Sequence, residues 1–288
     1  VLRYYYFFFF FFFFFFLWGG GKKKFFLIFF FFFFFFFFFE LGGGMKKLIF
    51  AISVFFTSCV LASDIKPIPL VGVKSESAEY SAICSSVKKY CGKNSQTKIL
   101  KNKSNPNDIF LITSSRVFVK INGGERYSIS QVWNFSNYVM KDNSNDEGEE
   151  LSDSGITIFP ALYPLSRSKN AIALVRRWST SYSGGGKEVE FADFIMLNED
   201  GTYKTAFSDI PFYSKEQVRA CFSDSDYNKK SHCYDESWSV LNISIIDNGA
   251  EFYLWEFITK SYNWPSFVDK ARIKKSVDKK TLYPFEDP

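Results

Sequence analysis

The sequence predicts a mainly β fold for residues 63–288, either an antiparallel sandwich or an open barrel, with one to three short helices. Aromatic and β-branched residues are frequent in this part of the chain, and both are typical of strands. The candidate strands also come in pairs joined by short turns, whereas a doubly wound α/β fold alternates strands with helices. An α+β fold is the alternative, because helical patterns also occur.

One helix and three short strands are predicted in the first half of this region. Apolar residues recur at helical spacing over Ser77–Cys91, and Gly92 is a suitable stop. The polar segment Lys93–Asp108 is predicted to be a loop. The strands that follow, the last two joined by the turn Asn122-Gly123-Gly124, are Ile109–Thr113, Arg116–Ile121 and Tyr127–Ile129.

The second half follows an acidic segment, Lys141–Ser154, which is predicted to be a loop. Ser214 and Gln217 have the spacing of a capping box, which predicts a short helix over Ser214–Phe222. The basic segment Val268–Lys280 is predicted to be a short surface helix. Turn residues separate the predicted strands, which are Ala171–Tyr182, Val189–Leu197, Tyr203–Phe207, Trp238–Ile246 and Glu251–Thr259.

Residues 1–44 have a composition that is not typical of a folded protein, with long runs of Phe and short runs of Lys and Gly. These residues are encoded by TTT, AAA and GGG, so translated homopolymeric DNA upstream of Met45 explains them. A membrane hairpin is the alternative, but its apolar arms Tyr4–Trp18 and Phe25–Phe39 are shorter than the roughly 20 residues of a spanning helix. Residues 1–44 are therefore predicted to be a spurious leader that does not fold.

Residues 45–62 combine a positively charged start, an apolar core and a small-residue cleavage site, which is the pattern of a secretory signal peptide. These three parts are Met45-Lys46-Lys47, Leu48–Phe56 and Val60-Leu61-Ala62. Cleavage predicts a single exported domain from Ser63 onward, periplasmic or secreted. The alternative is a lipoprotein anchored through Cys59, since the preceding residues resemble a bacterial lipobox.

The charge of the exported part excludes one class of partner. From Ser63 onward there are 29 Lys and Arg and 29 Asp and Glu, so the net charge of +5 comes from the first 62 residues. Nucleic-acid binding needs a net or clustered positive field. No nucleic-acid partner is therefore predicted for the mature chain. No membrane span is predicted in the mature chain either.

Four cysteines remain after signal cleavage, and export favours disulfides. Cys221 and Cys233 bracket a polar loop and are predicted to bond. In an unbroken helix Cys84 and Cys91 would lie about 10.5 Å apart, whereas a disulfide needs Cα atoms within roughly 7 Å. Either the helix ends near Val87, which is favoured, or the pairing is crossed, or both cysteines are free.

The polar segment that begins at Cys221 holds the candidate functional residues. Four of them partly match positions 1, 3, 5 and 12 of a calcium-binding loop: Asp224, Asp226, Asn228 and Asp235. The match lacks the glycine at position 6 and the glutamate at position 12 of such a loop. No other metal and no cofactor are predicted. Four residues that mix charge with apolar surface are predicted to form a binding loop: Tyr227, His232, Tyr234 and Glu236.

Common catalytic patterns are scarce. A Ser–His–Asp or Cys–His site would have to use His232, the only histidine. Ser183–Lys187 lacks the spacing of a phosphate-binding loop and is predicted to be a hairpin end. Core packing is predicted for the tryptophans, with sugar binding as the alternative: Trp133, Trp178, Trp238, Trp255 and Trp264.

The sequence therefore predicts an exported, non-enzymatic binding module of the inhibitor, immunity or ligand-binding type, with an unknown protein or envelope ligand as partner. The alternative is a carboxylate-based cell-envelope hydrolase, which needs no histidine. A cleft with two or more buried carboxylates of raised pKa would favour the hydrolase. A flat surface with exposed aromatic residues would favour the binding module.

Overall fold

The computed structural model describes residues 10–15, 28–41, 45–55, 64–91, 97–124, 126–141, 151–229 and 232–286. Val1–Leu61 and Ala62–Pro288 form separate units. The first unit contains three antiparallel strands that pair in chain order, β1 Phe10–Phe15, β2 Ile28–Leu41 and β3 Met45–Phe55. The division of the chain into leader, signal peptide and exported domain stays a prediction.

The second unit is built around one 14-stranded sheet in which every pairing is antiparallel. Its strands are β4 Asp64–Ile65, β5 Ile68–Gly72, β6 Lys98–Asn102, β7 Asp108–Ile112, β8 Val117–Asn122, β9 Ser128–Asn134, β10 Ser152–Ile158, β11 Ala161–Pro164, β12 Asn170–Tyr182, β13 Gly185–Leu197, β14 Tyr203–Arg219, β15 Tyr234–Ile246, β16 Leu254–Trp264 and β17 Lys274–Leu282. The helices are α1 Ala78–Ser86 and α2 Asp224–Lys229, with 3₁₀ turns at Lys88–Tyr90 and Lys270–Arg272. The predicted mainly β fold with few short helices is confirmed.

The sheet follows the order β17-β16-β15-β14-β13-β12-β11-β5-β6-β7-β8-β9, with β10 paired to β12 and β4 to β15. Within the described part of the chain, no helix has both the length and the apolar character needed to cross a membrane.

Two cores enclose the strands β6–β8, which explains their continuous apolar runs. Phe110 and Phe118 pack against Ile172 and Ile195 of the facing strands β12 and β13, as in a sandwich. On the opposite side, α1 covers the same strands with apolar residues that include Ile83. Because successive strand residues point to opposite faces, both sides of these strands are apolar.

A third core is dominated by aromatic side chains from β11, β13, β14 and β16. The Phe194 ring makes edge-to-face contacts with Tyr163 and Trp255, at centroid distances of 5.0 and 5.2 Å. Phe207 and Phe257 complete the cluster, with their rings 5.1 Å apart. Such pairs contribute about 0.5–1.5 kcal/mol each beyond area burial, so this core fixes the base from which the longest strands project.

The predicted early end of the first helix is confirmed, and so are both predicted disulfides. The Ser77 hydroxyl caps α1 by accepting the Tyr80 N–H at 3.1 Å. The chain leaves the α-helix at Val87, and a 3₁₀ turn then brings the Cα atoms of Cys84 and Cys91 to 5.4 Å. The second bond joins Cys221 to Cys233.

The helix predicted over Ser214–Phe222 was wrong, because Ser214–Arg219 form the end of β14. This segment pairs with β13 on one side and β15 on the other, and the Ser214 and Ser239 hydroxyls are hydrogen-bonded at 2.7 Å. Pairing along both edges overrides the local capping-box pattern, which specifies only one turn.

The helix predicted over Val268–Lys280 was also wrong, since one 3₁₀ turn precedes the edge strand β17. Lysines are common on exposed edge strands because they discourage pairing with other chains. The loop predicted over Lys93–Asp108 contains β6, whose Ile99 and Leu100 enter different cores. In the acidic segment Lys141–Ser154, residues 142–150 lie outside the described residues, and β10 begins at Ser152.

Candidate functional site

The strands β14–β17 extend beyond the aromatic core as a ribbon of mostly half-buried or exposed residues. Their register places Lys215 opposite Trp238, Trp238 opposite Tyr262, and Tyr262 opposite Lys275. Cross-strand partners share one side of a sheet, so these four residues form a continuous row. We call this side the ribbon face; it also carries Gln217, Arg219, Tyr234, Glu236, Lys260 and Trp264.

Ring stacking orders the aromatic residues of the ribbon face. The Trp238 and Tyr262 rings are stacked, with centroids 5.0 Å apart and an interplanar angle of 9°. The Lys275 ammonium lies 5.9 Å from the Tyr262 centroid, within cation–π range. At the end of the ribbon, the Trp264 ring stacks on His232 at 3.5 Å. The row is therefore a preorganised surface of stacked rings flanked by lysines.

The structure brings the predicted binding-loop residues together at the end of the ribbon face. Tyr234 and Glu236 lie on it, because they are separated from Trp238 by even numbers of residues. His232 reaches it by stacking on a tryptophan of the face. The Tyr227 hydroxyl accepts a hydrogen bond from the Arg219 guanidinium at 2.5 Å, and Arg219 also donates to the Cys221 carbonyl at 2.7 Å.

Two of the four calcium candidates accept hydrogen bonds from backbone N–H groups. The Asp226 carboxylate accepts the N–H groups of Phe222 and Ser223 at 3.2 and 3.1 Å, which closes the start of α2. The Asp235 carboxylate accepts the Ser266 N–H at 2.7 Å, on the side of β15 opposite the ribbon face. Among the described residues, no three His, Cys, Asp or Glu side chains are grouped as metal ligands. Calcium binding through Asp224, Asp226, Asn228 and Asp235 stays a prediction that this geometry does not support.

Ser183–Lys187 forms the end of the β12–β13 hairpin, as predicted. A Cβ atom on Gly185 would lie 1.8 Å from the Gln217 carbonyl oxygen, so only glycine allows β14 to approach here. A polar groove of about 550 Å³ lies beside this hairpin and borders the ribbon face at Lys215, Arg219 and Tyr234. The glycines therefore shape a close strand contact.

The tryptophans divide between core and surface. Trp133, Trp178 and Trp255 are buried, which confirms core packing for these three. Trp238 and Trp264 are half-buried on the ribbon face. Sequence reasoning missed this difference because it depends on how far β15 and β16 extend beyond the aromatic core.

One carboxylate has the burial expected of a catalytic acid. Burial raises the pKa of Asp193, which accepts hydrogen bonds from the Tyr138 hydroxyl at 2.9 Å and the Asp209 N–H at 2.8 Å. Burial also raises the pKa of Tyr138. Asp193 is the one buried carboxylate in the described ranges. The hydrolase hypothesis predicted two or more buried carboxylates, and the described residues show this one.

The fold and the two disulfides define a β-rich, disulfide-bonded domain, a class compatible with an exported protein. In comparisons with protein-family models, curated proteins and solved structures, nothing matches this chain. Functional inference therefore rests on the ribbon face and on the residues around it.

Proposed function

We propose that the chain is an exported, non-enzymatic binding module of the inhibitor, immunity or ligand-binding type, and that it contacts a partner protein through the ribbon face. The observation that carries this proposal is the row Lys215–Trp238–Tyr262–Lys275, in which two stacked rings lie between two lysines. Tryptophan and tyrosine are enriched among the residues that contribute most to protein binding.

The charge of the ribbon face favours a partner with an acidic surface. No described ion pair involves Lys215, Lys260 or Lys275 of this face. By contrast, Glu188 and Glu190 on the neighbouring strand β13 both pair with one arginine, at 3.0 and 2.5 Å. The lysines are therefore available to attract carboxylates, which raises the association rate and excludes basic partners.

The end of the ribbon face is held by covalent and stacking contacts. The Cys221–Cys233 disulfide closes the segment that contains α2, and His232 stacks on Trp264. A surface fixed before binding loses less conformational entropy when the partner docks. We therefore extend the proposed contact surface to the binding-loop residues Tyr227, His232, Tyr234 and Glu236.

Export to the periplasm or to the outside of the cell is part of the proposal, and the two disulfides support it, because they persist in oxidising compartments. Expression from Met45 in a bacterium should yield a chain that begins at Ser63. Intact-mass measurement of the processed protein tests this. A lipid attached to Cys59 would instead establish the lipoprotein alternative.

Charge reversal on one side of the ribbon tests the proposed contact. Lys215→Glu combined with Lys275→Glu should abolish capture of the partner from envelope extracts, while the melting temperature stays unchanged. The matched control is Lys274→Glu with Lys280→Glu, which makes the same charge change on the other side of β17. Equal loss of capture in both variants would contradict recognition by the ribbon face.

Removal of the Trp238 ring tests separately whether the stacked rings contribute directly to binding. Trp238→Ala should weaken binding of the captured partner by about 2 kcal/mol or more, the usual cost at an interface hot spot. Titration calorimetry with the purified partner measures this change. An affinity equal to that of the unmodified chain would show that the stacked rings serve only the fold.

A further inference from the structure

A separate groove of about 660 Å³ lies between the segment leading into β5 and the strands β11, β14, β15 and β16. Its walls are mostly apolar and include Phe159, Phe212, Leu241, Ile243 and Ile258. Leu241 and Ile243 point to the side of β15 opposite the ribbon face, because they are offset from Trp238 by odd numbers of residues. The volume lies within the roughly 300–1,000 Å³ of small-molecule sites.

Four of the residues that line this apolar groove carry side-chain hydrogen-bond donors, Lys66, Tyr163, Asn242 and Ser244, and the first two are the candidates for a head-group site. Lys66 is exposed and takes part in no ion pair with a described residue. Tyr163 is only 4% exposed, and no hydrogen bond joins its hydroxyl to any residue within the described ranges. The hydroxyl is not among the fully buried side-chain atoms without a partner, a set that in the described residues contains Trp178 Nε1, so it stays accessible from the groove.

The two donors lie on neighbouring segments of the sheet. Leu162 pairs with Ile68 in the antiparallel register of β11 and β5. The pairing ends there, and Lys66, two residues before Ile68, and Tyr163, the residue after Leu162, both line the groove. The Tyr163 ring is fixed from behind by the aromatic core. Burial raises the pKa of Tyr163, so its hydroxyl keeps its proton at neutral pH.

We infer that this groove binds an anionic amphiphile, a molecule with one carboxylate and an aliphatic chain of fatty-acid type. The carboxylate accepts hydrogen bonds from the Lys66 ammonium and the Tyr163 hydroxyl, and the chain lies against the apolar walls. None of the residues that line the groove is acidic. This charge pattern disfavours a cationic amphiphile, and the apolar walls disfavour a small free anion. None of the four residues of the row Lys215–Trp238–Tyr262–Lys275 lines the groove.

Titration calorimetry with dodecanoate, kept below its micelle concentration, tests the ligand class. The chain is expressed from its full coding sequence and purified in the form in which the host cell leaves it. Dodecanoate should bind at one site, whereas dodecyltrimethylammonium and acetate, which lack the anionic head and the aliphatic chain respectively, should not bind measurably. Equal binding of dodecanoate and dodecyltrimethylammonium would overturn the inference, and so would no binding of dodecanoate.

Substitutions of the donors locate the head group. Tyr163→Phe keeps the ring and removes only the hydroxyl, and Lys66→Gln removes only the charge. Each should weaken dodecanoate binding about tenfold or more, as expected for a hydrogen bond to a charged group. Lys103→Gln, at an exposed lysine outside the groove, is the control and should change nothing. Unchanged affinity in both Tyr163→Phe and Lys66→Gln would overturn the assignment.

Filling the groove locates the aliphatic chain. Leu241→Trp should abolish dodecanoate binding, whereas Val240→Trp, on the adjacent residue that points to the other side of β15, should leave it intact. Melting temperatures check that both variants fold; if Leu241→Trp does not, the two donor variants decide. Equal affinity in a folded Leu241→Trp variant would overturn the placement. Lys66→Gln does not change the ribbon face, so this variant should still capture the partner protein. Partner capture therefore tests the proposed function separately from dodecanoate binding.

Discussion

Asp193 links three parts of the second unit, and its removal should destabilise the fold. Its two carboxylate oxygens accept the Asp209 N–H at 2.8 Å and the Tyr138 hydroxyl at 2.9 Å. Asp209 has a φ of 56°, and the register of β13 and β14 shifts beside it. In Asp193→Ala, Tyr138 keeps its contact with Thr205, but the Asp209 N–H loses its acceptor. An unsatisfied buried donor costs about 1–3 kcal/mol; because Asp209 is half-buried, we expect a loss of about 1 kcal/mol in the free energy of unfolding.

Asp193→Asn, by contrast, should not lower the free energy of unfolding at neutral pH. The amide oxygen accepts the Asp209 N–H, and the amide nitrogen donates to the Tyr138 oxygen. Burial, the largest cause, raises the pKa of Asp193 above its ordinary value of about 3.9. The folded chain therefore keeps a proton that the unfolded chain has lost, and stability falls as pH rises between the two pKa values. The asparagine variant lacks this dependence and should equal or exceed the unmodified chain at neutral pH.

Urea denaturation between about pH 4 and about pH 8 measures both effects. Asp200→Asn is the control, because hydrogen bonds from Thr202 lower the pKa of Asp200, so its contribution is lost only as pH falls below about 3.9, outside this range, and the variant should show no pH-dependent difference here. Equal loss of stability in Asp193→Asn and Asp193→Ala at neutral pH would contradict this role of Asp193. A difference between Asp193→Asn and the unmodified chain that does not change with pH would contradict the raised pKa.

Three further predictions concern the fold. Replacing Cys221 and Cys233 together by alanine should lower the free energy of unfolding by about 3 kcal/mol, measured in urea, and an unchanged midpoint would contradict this value. Gly185→Ala should cost about 1–3 kcal/mol because its Cβ overlaps a carbonyl oxygen. Gly184→Ala should change little, since the nearest atom would be 3.9 Å away. Deleting residues 1–44 should leave the melting temperature unchanged, and a lower one would contradict the leader hypothesis.

Much of the fold could be predicted where one local pattern agreed with strand pairing. β12, β15 and the Cys221–Cys233 bond follow from period-2 or apolar runs, turn residues and cysteine spacing. The first helix could be ended correctly because the geometry of Cys84 and Cys91 forbids a longer one. In these places short-range sequence patterns contain the constraint that determines the structure.

The errors have a common physical cause. The capping-box pattern at Ser214 and the basic residues of Val268–Lys280 indicate only local preferences for helix. In the structure these segments contribute to the strands β14 and β17, which are stabilised by pairing with other strands of the sheet. The ribbon face could not be predicted for the same reason. Its row depends on the register between Lys215, Trp238 and Tyr262, which lie far apart in sequence. In the structure, the residues of the predicted binding loop nevertheless lie beside the ribbon face. The Cys221–Cys233 disulfide limits how far these residues can lie from β14 and β15.

The edge strand β17 shows how one set of residues can serve both fold and recognition. Residues 274–281 are exposed, and the described strands pair with β17 only along β16. Charged side chains on an edge strand discourage pairing with the strand of another chain. This effect depends on the charge along β17 and not on the side of the sheet to which each lysine points. The proposed recognition through the ribbon face would depend on the side of the strand, since Lys275 projects onto that face and Lys274 does not. We therefore expect the Lys274→Glu and Lys280→Glu control to keep the oligomeric state of the unmodified chain and to keep its partner. Loss of the partner alone would show that charge along the strand, rather than the ribbon face, attracts it.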